Sequence, residues 1–171
     1  MSQDAWERFR DEGFRHYQVV AAGFKYRMMD LQAAIGIHQL DRVEETHARR
    51  EELWRLYDEA FSELPCELPA AAEPDTVHAR HLYTLVVDES LHRDRNRVLE
   101  ELTRRKIGVG VHYKALHTHP YYRELLGHAS ADFPNAYEIG ERTFSIPMSA
   151  KLTDGDVDDV IEGVRAALGS R

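Results

Sequence analysis

The pattern of hydrophobic and polar positions divides the chain into three stretches. Residues 1–23 are polar and aromatic with little periodicity. From Asp30 to about Glu63 the pattern predicts one long helix: Asp30 is a candidate N-cap, Pro65 ends it, and neither Pro nor a loop cluster interrupts it. Its apolar faces change along its length. Leu31, Ala33, Ala34, Ile35, Gly36, Ile37 and Leu40 leave almost no polar side. Further on, Val43, His47, Trp54, Tyr57, Phe61 and Leu64 make a single stripe opposite a charged face of Glu44, Glu45, Arg49, Arg50, Glu51 and Glu52. An unbroken helix of this span would be about 50 Å long. A compact domain of this size is roughly 40 Å across. The apolar first half is therefore expected to be covered by a partner chain or a further domain, unless a kink at Gly36 folds it back.

The third stretch alternates strands and helices. Residues 81–87 predict a strand, residues 94–106 a helix with Val98, Leu99 and Leu102 inward, and residues 109–113 a second strand after Gly108. A loop around Pro120, a helix over about 134–143 and a short extended piece at 144–147 follow. A last helix begins at Thr153, whose hydroxyl can cap the amide near Asp156, and carries Val157, Val160, Ile161 and Val164 at helical spacing. The expected fold class is α/β, α+β-like: a small sheet layer covered by helices.

Composition narrows the class of protein. The chain has 171 residues, 22 Lys+Arg against 30 Asp+Glu, a formal charge of −8 and one cysteine, Cys66. That length suffices for one domain, which buries roughly 70% of the surface its unfolded chain exposes, and a lone cysteine provides no disulfide framework. Apolar runs stop short of the ~18 residues a membrane span needs, and residues 1–7 lack the basic-then-apolar pattern of a signal peptide. The expectation is a soluble, cytoplasmic protein with no membrane partner. Acidic residues interleaved among the basic ones also argue against nucleic acid, whose phosphates need clustered Lys and Arg.

Three segments carry a recognisable combination. One is Gly23-Phe24-Lys25-Tyr26-Arg27-Met28-Met29-Asp30-Leu31-Gln32-Ala33-Ala34-Ile35-Gly36. Another is Gly108-Val109-Gly110-Val111-His112-Tyr113, followed by Leu116-His117 and Pro120-Tyr121-Tyr122. The last is Glu141-Arg142-Thr143-Phe144-Ser145-Ile146-Pro147-Met148, leading into Leu152-Thr153-Asp154. In order, spacing and content the chain resembles the DegT/DnrJ/EryC1/StrS aminotransferases, which use pyridoxal phosphate to aminate keto sugars carried on nucleotides.

The resemblance implies the pyridoxal phosphate dependent transferase fold of type I, with this chain as its C-terminal part and the large cofactor domain missing. Residues 1–29 would be a remnant of the large-domain and active-site loop region, residues 30–64 the long inter-domain helix, and residues 65–171 the small C-terminal domain. It implies a homodimer, a nucleotide-sugar substrate and glutamate as amino donor. It also implies that Lys25 reaches the phosphate of the neighbouring subunit's cofactor, and that Tyr26, Arg27, His112, Tyr113 and His117 face the substrate. Such chemistry needs a lysine amine to hold the cofactor and move protons. None of Lys25, Lys106, Lys114 and Lys151 occupies the family's serine-rich lysine loop, so no catalytic residue is expected here, and the chain alone is expected neither to transaminate nor to bind pyridoxal 5'-phosphate.

Other readings stay open at this point. Lys25 also reads as a solvated basic residue, Asp30 as a plain helix cap and His112 as hydrogen-bonded scaffold. A metal held by His112, His117 and His119 lacks the ligand set of a structural zinc site. The chain also fits a non-catalytic assembly or binding module, or part of a keto-sugar dehydratase in which histidine replaces the lysine.

Overall fold

The computed structural model describes residues 22, 24, 26, 28–89 and 95–169. The chain divides into two compact units, Met1–Asp41 and Arg42–Arg171. In the first, α1 spans Asp30–Leu40 and buries none of its residues. Its N-cap is Met29, whose N–H donates to Gln32 Oε1 at 3.1 Å. Asp30 is therefore the first helical residue instead of the cap, placed where a negative charge suits the amide end of the helix.

The second unit begins with α2, Val43–Phe61. The single helix expected from the sequence is thus two, and the break falls at Asp41–Arg42, not at Gly36, which stays helical. Asp41 closes α1 by donating its N–H to Ile37 O at 3.1 Å, and Arg42 leaves helical geometry at φ −119°, ψ 11°. Thr46 Oγ1 then donates back to the Arg42 and Val43 carbonyls, both at 3.0 Å, a competition with the helical ladder that bends or starts helices. At 11 and 19 residues, neither helix exceeds about 30 Å, so length by itself no longer requires an outside cover.

The sheet has three antiparallel strands in the order β1-β2-β3: Cys66–Glu67, Tyr83–Val87 and Thr143–Ile146. Register pairs Tyr83 with Ile146 and Leu85 with Phe144, so alternate side chains share a face. That face, with Tyr83, Leu85, Val87, Phe144 and Ile146, meets Leu53, Trp54, Tyr57 and Phe61 of α2 in one core. Trp54 and Tyr57 stand edge-on to Tyr83 at 4.8 and 5.2 Å. Helix α3, Arg95–Arg104, adds Val98 and Leu102, and the final helix, Asp154–Gly169, adds Val157, Val160 and Val164. The expected start of α3 at Asp94 lies outside the described residues. Its end is a Schellman turn: Ile107 N–H reaches Leu102 O at 3.0 Å and Lys106 N–H reaches Thr103 O at 2.9 Å, with Lys106 left-handed at φ 62°.

Two further elements differ from the sequence reading. The expected strand at 109–113 shrinks to one bridge, Gly110 to Ser145, because the chain leaves the edge of β3 after that pair. The expected loop around Pro120 contains a helix, α4, Pro120–Leu126, with Pro120 in its first turn and Gly127 left-handed at φ 69° after its end. Helix α5, Pro134–Arg142, leads directly into β3. The last helix, numbered α6, starts as its sequence predicts: Asp156 N–H donates to Thr153 Oγ1 at 3.2 Å, while Thr153 N–H and O–H donate to the Asp156 carboxylate at 2.8 and 2.6 Å. Those two donors hold the Asp156 carboxyl below its usual range. No helix among the described residues is long and apolar enough to cross a membrane.

Candidate functional site

All four residues of β3 are buried, and alternation sends Phe144 and Ile146 into the core while Thr143 and Ser145 share the opposite face. There Ser145 meets the segment that follows Gly108. Gly110 N–H donates to Ser145 O at 3.1 Å and Ser145 N–H to Gly110 O at 2.8 Å. This pair sets His112 so that its Nδ1 lies 2.5 Å from Ser145 Oγ. Gly110 is required by the approach: a Cβ there would come 2.7 Å from His112 Cε1. Tyr113 stands edge-on to the His112 ring at 4.8 Å and is 73% exposed. On the far side of this segment, α5 comes so close that a Cβ on Gly140 would lie 2.7 Å from Ala115 N. The loop bearing His112 and Tyr113 is thus gripped at both ends and open between.

His117 goes elsewhere. A short 3-10 turn, Leu116–Thr118, places it at 8% exposure, its ring 5.0 Å from that of Phe133 and its Nε2 3.4 Å from Ser130 O. With Leu116, Tyr122, Leu126, His128 and Phe133 it lines an apolar cavity of about 290 Å³. At its rim Ala129 N–H and the His128 ring hold the Asp132 carboxyl below its usual range. Tyr26 belongs to the first unit, where it is exposed and stacks on Phe24 at 5.5 Å. Lys25 and Arg27 lie outside the described residues.

Two further features have no counterpart in the sequence reading. One is the contact of Ser145, which stands in the third quoted segment but is too weakly signalled there to be given a role, since its partner is 33 positions away. The other is a cavity of about 480 Å³ whose wall includes Trp54, Asp58 and Arg80. There the Arg80 guanidinium lies 4.3 Å from the Trp54 ring centre and donates to Glu51 at 2.8 Å. Tyr83 O–H donates to Asp58 at 2.7 Å, and burial, reinforced by that carboxylate, pushes its pKa well up. Burial likewise pushes the Cys66 thiol up to about 11, which leaves it protonated and a poor nucleophile at neutral pH. Among the described residues no three His, Cys, Asp or Glu side chains gather as a metal would need.

The family model of the DegT/DnrJ/EryC1/StrS aminotransferases matches residues 1–165. The chain belongs to that family. It is 42% identical over 167 residues to the spore coat polysaccharide biosynthesis protein SpsC of Bacillus subtilis, covering 96% of this chain and 43% of that protein. It is equally identical, over 166 residues, to the uncharacterized protein MJ1066 of Methanocaldococcus jannaschii, with the same coverage of 96% and 43%. Among solved structures, the pyridoxal phosphate form of the putative sugar aminotransferase Spr1654 from Streptococcus pneumoniae superposes with a TM-score of 0.76 at 31% identity, over 89% of this chain and 38% of that one. The fold is accordingly that of a portion of the family's aminotransferase structure, and the chain spans less than half the length of these relatives.

The described residues do not by themselves fit the cofactor that such relatives hold. A pyridoxal group needs a lysine amine at a sheltered site. Lys106, Lys114 and Lys151 are all exposed, and none lines the cavity beside His117 or the one beside Trp54.

Proposed function

We propose that this chain is the C-terminal portion of a pyridoxal phosphate dependent aminotransferase that transfers an amino group from glutamate to a nucleotide-linked keto sugar, in amino sugar or polysaccharide biosynthesis. The observation that carries this reading is the family match over residues 1–165. The name of SpsC supports the polysaccharide setting and that of Spr1654 the sugar substrate. Within that assembly the loop of His112 and Tyr113 faces the sugar nucleotide: it is rigidly seated on β3, open to solvent, and offers hydrogen-bonding groups with an aromatic edge. His117, Tyr26 and Arg27 complete the substrate side, and Lys25 serves the phosphate of the cofactor in the neighbouring subunit of a homodimer. None of the three described lysines holds the cofactor, so the chain alone does not transaminate.

The test is incubation with pyridoxal phosphate, glutamate and a nucleotide-linked keto sugar, followed by borohydride reduction and peptide mass analysis. The expected result is no aminated product and no stoichiometric cofactor adduct on any one lysine. Turnover by the chain alone, or a single fully labelled lysine, would overturn the proposal. One observation favours a second reading, an assembly module that docks on another polypeptide: α1 exposes Leu31, Ile35, Ile37 and Leu40 together. Size exclusion with and without a polypeptide carrying the family's large domain separates the two, since a module would co-elute with it yet add nothing to its turnover.

A further inference from the structure

The protons around His112 have little freedom. Its Nδ1 is 2.5 Å from Ser145 Oγ, and that oxygen is 3.3 Å from the Gly110 carbonyl. A carbonyl only accepts, and a serine carries one hydroxyl proton. Both contacts are hydrogen bonds in a single arrangement of the neutral ring: Nδ1–H donates to Ser145 Oγ, and Ser145 O–H donates to Gly110 O. With the hydroxyl turned towards Nδ1, two acceptor oxygens would face each other across the other contact. The carbonyl cannot drift away, because it also accepts the Ser145 N–H at 2.8 Å. Nor can the ring tilt inward, because it already touches Gly110 where a Cβ would sit. No described residue takes His112 Nε2.

We infer that Ser145 is a positioning residue: it locks His112 in its Nδ1–H form, the opposite of the Nε2–H form that a free histidine side chain prefers, and so presents Nε2 beside Tyr113 as a hydrogen-bond acceptor. The nitrogen left without the proton is set by the bond the other one makes. An acceptor at that place suits a ligand rich in hydroxyl groups. That last step rests on the proposed sugar substrate, whereas the proton assignment stands on the geometry alone.

The experiment is a two-bond nitrogen–proton correlation spectrum of the 15N-labelled chain, recorded at a pH where the ring is neutral, with and without a uridine diphosphate sugar. The protein is expected to carry the His112 proton on Nδ1, and Ser145→Ala to move it to Nε2 while the β2 and β3 amide signals persist. A proton on Nε2 in the unsubstituted protein, or one that stays on Nδ1 in Ser145→Ala, would overturn the assignment. The first spectrum needs no variant, so a poorly folded Ser145→Ala still leaves the proton assignment decided. The added sugar nucleotide reports separately: an Nε2 signal that responds to it supports the sugar-binding reading for this portion by itself, and one that does not respond removes sugar binding by the portion alone while leaving the role of Ser145 intact.

Discussion

Helices α1 and α2 follow one another in the chain and are held by different things. Helix α2 hides Leu53, Trp54, Tyr57 and Phe61 on one side and keeps its charges on the other. Helix α1 hides nothing, and Leu31 and Leu40 are 71% and 69% exposed. Eleven residues are fewer than an isolated helix needs to be stable in water. What holds α2 is therefore tertiary burial, whereas α1 keeps its caps and its own ladder without burying a residue. An apolar residue strengthens a helix only where a partner surface receives it.

The sharpest way to break this contrast is to truncate one large residue in each helix. Phe61→Ala is expected to lower stability by about 3–5 kcal/mol in urea unfolding, and Ile35→Ala by no more than about 0.5 kcal/mol, as for other exposed positions. Similar losses from both would erase the difference. Helical glycines give a second comparison. A Cβ on Gly163 of α6 would meet Ile107 Cδ1, with Leu102 Cδ2 at 3.5 Å, whereas one on Gly36 of α1 would meet nothing within 4 Å. Both substitutions bring a propensity gain of up to about 1 kcal/mol, but at Gly163 it is offset by displacing the end of the Ile107 side chain, so Gly36→Ala should raise the helical circular dichroism signal and Gly163→Ala should stabilise less than Gly36→Ala.

Smaller effects sharpen the picture on the buried side. Burial pushes the Tyr57 hydroxyl, which donates to Pro147 O at 3.0 Å, up to about 12. With its folded value above the unfolded one, Tyr57 contributes stability that is whole below the ordinary tyrosine range near ~10 and is lost as pH rises through about 12. Tyrosinate absorbance should therefore show two tyrosines, Tyr57 and Tyr83, ionising later than the rest, in strong alkali. Thr153→Ala is expected to remove about 1 kcal/mol by uncapping α6, read as a lowered urea midpoint. Its partner Asp156 is shifted the other way, so the cap holds above the ordinary aspartate range near ~3.9 and fails as pH falls through the lower folded value. In acid the difference between the protein and Thr153→Ala should narrow to what the Asp156 N–H to Thr153 Oγ1 bond contributes.

Local patterns carried much of this into the sequence. The Trp54, Tyr57 and Phe61 stripe, the inward Val98 and Leu102, and the Thr153 cap each depend on spacing within a few residues, and each is where that spacing puts it. What depends on distant partners was harder to read. Nothing near Arg42 marks the helix break except Thr46, whose back-bonding hydroxyl looks like any other polar residue in sequence. Apolar alternation over 109–113 continues after the pairing with Ser145 stops, so the pattern is longer than the strand. Pro120 and Gly127 mark the two ends of α4 in the sequence itself. For the site, the adjacency of His112 and Tyr113 was visible as a motif, whereas Ser145 joined them only through the register of β3 with Gly110.

Amide hydrogen exchange along residues 30–61 tests the central contrast most directly. Amides of Leu53, Trp54 and Tyr57 should exchange only through opening of the whole second unit, with protection close to the global unfolding free energy, while those of α1 should exchange with little protection. Equal and strong protection in both helices would mean that α1 has found a burial of its own, and the account of what holds each helix would be wrong.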